Sequence, residues 1–147
     1  GARVAQPVSI AAIPALLLSL VGSNQTTFPG PSLADLWPRP SAALPYPIAE
    51  VAQHAWSPPQ NPSAHGDMRS VQTDQWHYIT HSTQGNELYH WPTDPTEERN
   101  LADDPAAAVT VAELHTYLQH LMSTSVSSSM TSLGFPPPAR QAASGAR

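Results

Sequence analysis

Glu87-Leu-Tyr-His-Trp-Pro-Thr-Asp-Pro-Thr-Glu-Glu-Arg-Asn-Leu-Ala-Asp-Asp104 changes character twice along its length. It starts as a β-strand, with Leu88, Tyr89 and Trp91 as strongly apolar members. Pro92 then removes a backbone donor, and Thr93-Asp94-Pro95 turns the chain, because a residue before proline is pushed out of the α region. Asn100 and Asp104 are helix-capping types, and Pro105 suits a first helical position, where its missing N–H costs nothing. The order is strand, acidic turn, helix start.

On the C-terminal side, Pro105 to Met122 carries the clearest helical pattern of the chain. Val111, Leu114, Leu118 and Leu121 recur at spacings of three and four, a stripe fit to cover one face of a sheet. Asp103 and Asp104 suit the positive end of that helix's dipole. On the N-terminal side, Asp67–Thr73 and Gln75–Thr80 predict a hairpin with Asp74 in the turn. Gln84-Gly85-Asn86 then turns the chain into a third strand over Glu87–Trp91. Ile48–Trp56, with Ile48, Val51 and Trp56 around Glu50, predicts an edge strand.

The first third differs in composition. Pro7 to Gly22 predicts a short core helix, with Pro14 in its first turn and Gly22 just past its end. Its apolar face is Ile13, Leu16, Leu17 and Leu20. Ile10 to Val21 also has the length of a signal-peptide core, with Val21-Gly22-Ser23 a poor cleavage site. It is too short for a membrane span, which takes about 20 apolar residues. Trp37–Pro47 reads as an extended proline-rich connector, and Ser123–Arg147 as a disordered tail with too few apolar residues to order itself. Asn24-Gln25-Thr26 matches a glycosylation sequon and is taken as coincidence.

Composition narrows the function classes. Pro is 17 of 147 residues, more than twice the average of about 5%. Charged residues are only 12%, and Lys is absent. A net charge of −5 with six scattered Arg leaves no basic patch, so nucleic acid is not an expected partner. The absence of Cys excludes disulfides, thiolate metal sites and a Cys nucleophile.

Seven His raise the question of a metal site. His77 and His81 are four apart, but in a strand that spacing spans roughly 13 Å, too far to chelate one ion directly. His115 and His120 are five apart on a helix and point different ways. No metal site is expected. No Gly-x-Ser-x-Gly elbow is present for a hydrolytic triad.

Several of these segments, in this order, resemble the C-terminal portion of the sulfatases. Glu87-Leu-Tyr89, Asp94-Pro95, Glu97 or Glu98, and Asn100-Leu101 resemble the family's step from last strand to final helix, with His90 where Asp is common. Ser70-Val-x-Thr-x-x-Trp-x-Tyr-Ile79 resembles its hairpin, with His77 where Lys is frequent. Pro7-Val-Ser9 through Gly22 resembles the helix that closes its catalytic domain, with Ala12 and Ala15 in place of Asp and Thr. Gly30-Pro-Ser-Leu33 resembles the step that follows.

The resemblance implies an α+β arrangement: the end of an α/β, alkaline-phosphatase-like catalytic domain, then a small antiparallel sheet against a C-terminal helix. It divides the chain into 1–36, the end of the catalytic domain; 37–66, the connector with a possible edge strand at 48–56; 67–122, the small subdomain; and 123–147, the tail. A complete relative would hydrolyse sulfate esters, or in some branches phosphonate or phosphate esters, with a formylglycine nucleophile and a divalent metal, Ca²⁺. Both belong to the missing catalytic part, and the expected partner is that catalytic domain. A periplasmic or secreted location is also implied.

The formylglycine motif is Cys/Ser-x-Pro-x-Arg, and no Ser here has Pro at +2 and Arg at +4. Asp103-Asp104 looks like the family's Ca²⁺-binding acids but precedes a helix, where capping explains it. This chain is therefore expected to have no catalytic residue and no metal site, and to be structural. His54 and His65, in or beside the proline-rich loop, are the candidates for the rim of the substrate cleft. The rival from another class is a stand-alone carbohydrate- or protein-binding module with Trp76, Tyr78, Tyr89 and Trp91 as an aromatic platform. A secreted, disordered proline-rich protein accounts for 29–66 and 123–147 but not for the hairpin and helix.

Overall fold

The computed structural model of the chain describes residues 6–23, 28, 33–36 and 44–132. The Asn24-Gln25-Thr26 sequon, the Gly30-Pro31-Ser32 step, connector residues 37–43 and tail residues 133–147 lie outside the described residues.

Strands β1 (Ile48–Val51), β2 (Met68–Gln72), β3 (His77–His81) and β4 (Gly85–Tyr89) form one antiparallel sheet in sequence order. Its register places Ile48, Val71, Tyr78 and Leu88 in one row across all four strands. Val71, Tyr78 and Leu88 are fully buried. Helix α2 (Ala108–Ser132) lies over that row, contributing Leu118 to the buried cluster, with Val111, Leu114 and Tyr117 packed against it. The architecture is α+β, an antiparallel sheet backed by a helix, as the alternation and the apolar stripe predict.

Helix α2 begins where Asp104 and Pro105 place it. The Asp104 carboxylate accepts from the Ala106 N–H at 2.9 Å, and Pro105 opens a 3-10 turn, Pro105–Ala107, that leads into the helix. The helix runs on through Ser132, into the segment expected to be a tail. A helix already nucleated by packing adds one hydrogen bond per residue, so a weakly helical serine run can prolong it.

Turns set the strand ends. Thr73, buried, closes the β2–β3 connection: its Oγ1 accepts from the N–H groups of Gln75 (3.2 Å) and Trp76 (2.8 Å). Asp74 sits in that turn, but Thr73 makes its bonds. The β3–β4 turn is Ser82-Thr83-Gln84, and Gly85 takes the left-handed φ of +92° that opens β4. Strand β4 therefore begins at Gly85 and stops at Tyr89, short of the expected Trp91, because the His90 carbonyl turns to accept from the N–H groups of Thr93 and Asp94. Likewise β1 stops at Val51, short of Trp56. The Gln53 N–H leaves the sheet for Asp67 Oδ1 at 2.7 Å, and Trp56 is 88% exposed.

The N-terminal segment is a 3-10 turn, Ile10–Ala12, capped by Ser9 and continuing into helix α1 (Ile13–Leu20). Pro14 lies in the first turn and Gly22, at φ +73°, just beyond the end. Helix α1 is not a core helix in this chain: none of its residues is buried. Among the described elements it packs against the short turn Leu33–Leu36, which leaves Ile13, Leu17 and Leu20 exposed. Among the described residues no helix is long and apolar enough to cross a membrane.

Candidate functional site

Three places gather polar side chains around the sheet. The first is the acidic turn after β4. The Asp94 carboxylate accepts from the N–H groups of Glu98 and Arg99, both at 3.0 Å, and these bonds, Arg99's first, hold its carboxyl below the usual range. The turn brings Glu97, at a left-handed φ of 57°, to His77, whose Nδ1 donates to Oε1 at 2.6 Å. Tyr89 is buried beneath, bonded to Glu87 Oε2 at 2.8 Å. Burial first, then the Glu87 bond and the surrounding carboxylates, push its phenol up to about 12.

The same turn protects the sheet edge. Asn100 Oδ1 accepts from the Leu88 N–H at 3.0 Å and from the Ala102 N–H at 2.9 Å, while the Leu101 N–H donates to the Leu88 carbonyl. Asn100 thus satisfies the open edge of β4 rather than capping a helix.

The second place is the loop 52–67, which carries His54 and His65. The His65 Nε2 donates to the Pro59 carbonyl at 2.8 Å, and the His54 Nδ1 accepts from the Trp56 N–H at 3.3 Å. Both rings are exposed, and Trp56 projects from the same loop. The loop is anchored by His81, which is buried. Its Nδ1 accepts from the N–H groups of Thr83 and Gln84, both at 3.1 Å, and its Nε2 lies 2.9 Å from the Pro62 carbonyl. Amides donate and carbonyls accept, so this ring is the neutral Nε2–H tautomer. Gly66 is buried against it: a Cβ there would lie 2.3 Å from Ser82 Oγ and 2.9 Å from His81 Cε1. His77 and His81 therefore serve two separate loops, and among the described residues no three His, Asp or Glu side chains gather as a metal site needs.

The third place is a cleft of about 230 Å³ between the sheet and α2. Arg69, Thr80 and Asn86 line it from the strands, His115 and Gln119 from the helix, and Asp67, His81 and Ser82 close the end nearest loop 52–67. Glu50, Arg69, Thr80 and Asn86 form a second row across the sheet, two residues along from the buried apolar row and on the same face. His115 Nδ1 is hydrogen-bonded to the Tyr78 hydroxyl at 3.0 Å, and burial raises that phenol's pKa. Strand alternation is the sequence signal that could have put Arg69, Thr80 and Asn86 on the face of Val71, Tyr78 and Leu88, but a cleft exists only once the helix lies over that face.

The aromatic residues proposed as a platform do not share a surface. Tyr78 is buried under α2, and Tyr89 is buried on the opposite face, in register with His77. The Trp76 ring meets His90 edge-on at 4.7 Å, and the Trp91 Nε1 donates to the Thr73 carbonyl at 3.1 Å.

No family model and no curated protein matches the sequence. Solved structures do match the fold. A 2-O GAG sulfatase aligns at 23% identity and TM-score 0.60 over 80% of this chain and 25% of its own. A provisionally assigned sulfatase from Bacteroides thetaiotaomicron aligns at 22% identity and TM-score 0.60, over 86% of this chain and 26% of its own. A protein solved with its substrate D-glucosamine-2-N,6-O-disulfate aligns at 18% identity and TM-score 0.55, over 72% and 22%. The chain has the fold of part of a sulfatase, and spans about a quarter of the length of these structures.

Proposed function

We propose that this chain is the C-terminal part of a sulfatase-like ester hydrolase, and that its sheet-and-helix unit is a structural subdomain resting on a catalytic body. The observation that carries the reading is the fold match, which takes in 80–86% of this chain but only 25–26% of each of two sulfatase chains. The surface of α1 supports it. Ile13, Leu17 and Leu20 are 45%, 57% and 54% exposed along one helix, an apolar face of the kind that partners cover.

The chemistry of sulfate-ester cleavage falls outside this chain in this reading. Formylglycine and a divalent metal do not fit the residues present: the sequence has no Cys/Ser-x-Pro-x-Arg, and the described residues gather no metal-ligand set. The role left to the chain is positional. Loop 52–67, with His54, Trp56 and His65 exposed, is the candidate rim of a substrate cleft completed by the catalytic body.

The test is hydrolysis of 4-nitrophenyl sulfate with added Ca²⁺. The 147-residue chain alone is expected to give no turnover above buffer, and the same segment within the complete polypeptide is expected to give formylglycine-dependent turnover. Turnover by the isolated chain overturns the reading.

A further inference from the structure

We infer that the cleft between the polar row of the sheet and helix α2 is a binding site for a single neutral sugar ring. The inference goes beyond the sulfatase-like reading and does not depend on it.

Unused hydrogen-bonding capacity is the first argument. Most polar side chains around the sheet are committed: His81 to two amides and a carbonyl, His77 to Glu97, Asn100 to the edge of β4. In the cleft, the side chains of Thr80, Asn86 and Gln119 make no hydrogen bond to any described residue. Arg69 uses only its Nε, on Glu50 at 2.9 Å, and His115 only its Nδ1, on Tyr78. A hydroxyl, two carboxamides, a guanidinium and an imidazole therefore line one space with donors and acceptors open to a ligand, beside Ser82 and His81, which are already bonded within the protein. That mixture matches vicinal hydroxyls, each of which both donates and accepts.

Size and charge narrow the ligand further. At about 230 Å³ the cleft is smaller than the roughly 300–1,000 Å³ of pockets for drug-sized molecules, so it suits one ring. Its fixed charges are Asp67 and Arg69, and Arg69 is already paired with Glu50, which leaves the Asp67 carboxylate as the net charge at its side. A sulfated or carboxylated ring would meet no uncompensated cation there. The backbone of the wall is set before binding. Arg69, Thr80 and Asn86 sit on paired strands, and the Tyr78 bond ties His115 to the core, so the ordering left to a ligand is that of the Asn86 and Gln119 side chains.

The test is an amide-shift titration of the full chain by NMR with glucose, galactose and N-acetylglucosamine, each set against glucose 6-sulfate. The expected result is saturable shifts at Thr80, Asn86, His115 and Gln119 with at least one neutral sugar, and weaker ones with the sulfated ring. Asn86→Ala and Gln119→Ala are each expected to weaken binding about tenfold, near the upper end for one hydrogen bond, while the remaining amide spectrum stays unchanged. Both side chains lie at the cleft wall rather than in the buried cluster, so either variant serves if the other fails to fold. No saturable shift at these residues with any neutral sugar overturns the inference, as does a response to glucose 6-sulfate alone.

Discussion

Helices α1 and α2 begin from the same sequence signal and end in different surroundings. Both carry apolar residues at spacings of three and four, and both follow a 3-10 turn capped by a side chain, Ser9 or Asp104, with a proline close behind the cap. In α2 the stripe finds the Val71–Tyr78–Leu88 row, and Leu118 is 2% exposed. In α1 no residue is buried. An apolar stripe states that a helix needs a partner, and says nothing about whether that partner is on the same stretch of chain.

The comparison is sharpened most by matched truncations. Leu118→Ala is expected to destabilise the chain by about 2–5 kcal/mol, the range for emptying a core leucine site. Leu17→Ala should stay within about 0.5 kcal/mol, as for a surface position. Denaturant unfolding of both variants checks this, and equal losses would break the contrast.

His81 is the next largest effect. His81→Leu keeps the volume but strips partners from the Pro62 carbonyl and the Thr83 and Gln84 amides, which costs about 1–3 kcal/mol where water does not replace them. Hydrogen exchange should show the loss centred on loop 52–67, leaving α2 protected. Uniform loss would contradict its role as a loop anchor.

Two pH effects are smaller and opposite in sign. The Asp94 carboxyl lies below its ordinary value, so its stabilisation is present above the unfolded pKa and is lost as pH falls through the lower folded value. Asp94→Ala should remove that acid-side loss from thermal melts. The Tyr89 phenol is raised from 10.0 to about 12, so its contribution holds below pH 10 and is lost as pH rises towards 12. Tyr89→Phe should flatten that alkaline limb, and spectrophotometric titration should show Tyr89 ionising after an ordinary tyrosine.

Legibility followed the same divide between contacts within one element and contacts between elements. The hairpin, the capped start of α2 and the Leu118 stripe were readable because period-two and period-3.6 patterns report local structure. The Asp94-Pro95 turn was readable as a turn, but the grip of its carboxylate on the Glu98 and Arg99 amides was not. Nor was His81, since a histidine in a strand looks the same whether it faces solvent or ties down a loop 19 residues away. Asn100 read as a helix cap because Asn favours caps, and its use on the β4 edge depends on a turn whose path only the folded chain displays. His54 and His65 are on an exposed loop as expected, while the separate cleft assembled from Arg69, Thr80 and Asn86 with Gln119 of the helix was not legible, because it needs the helix laid over the sheet.

The most direct test of the central claim is the coding sequence upstream of the Gly1 codon. The account predicts an in-frame extension that carries Cys/Ser-x-Pro-x-Arg within an α/β body large enough to cover α1. A stop codon just upstream followed by a start codon for this chain alone, with no such extension, would contradict it.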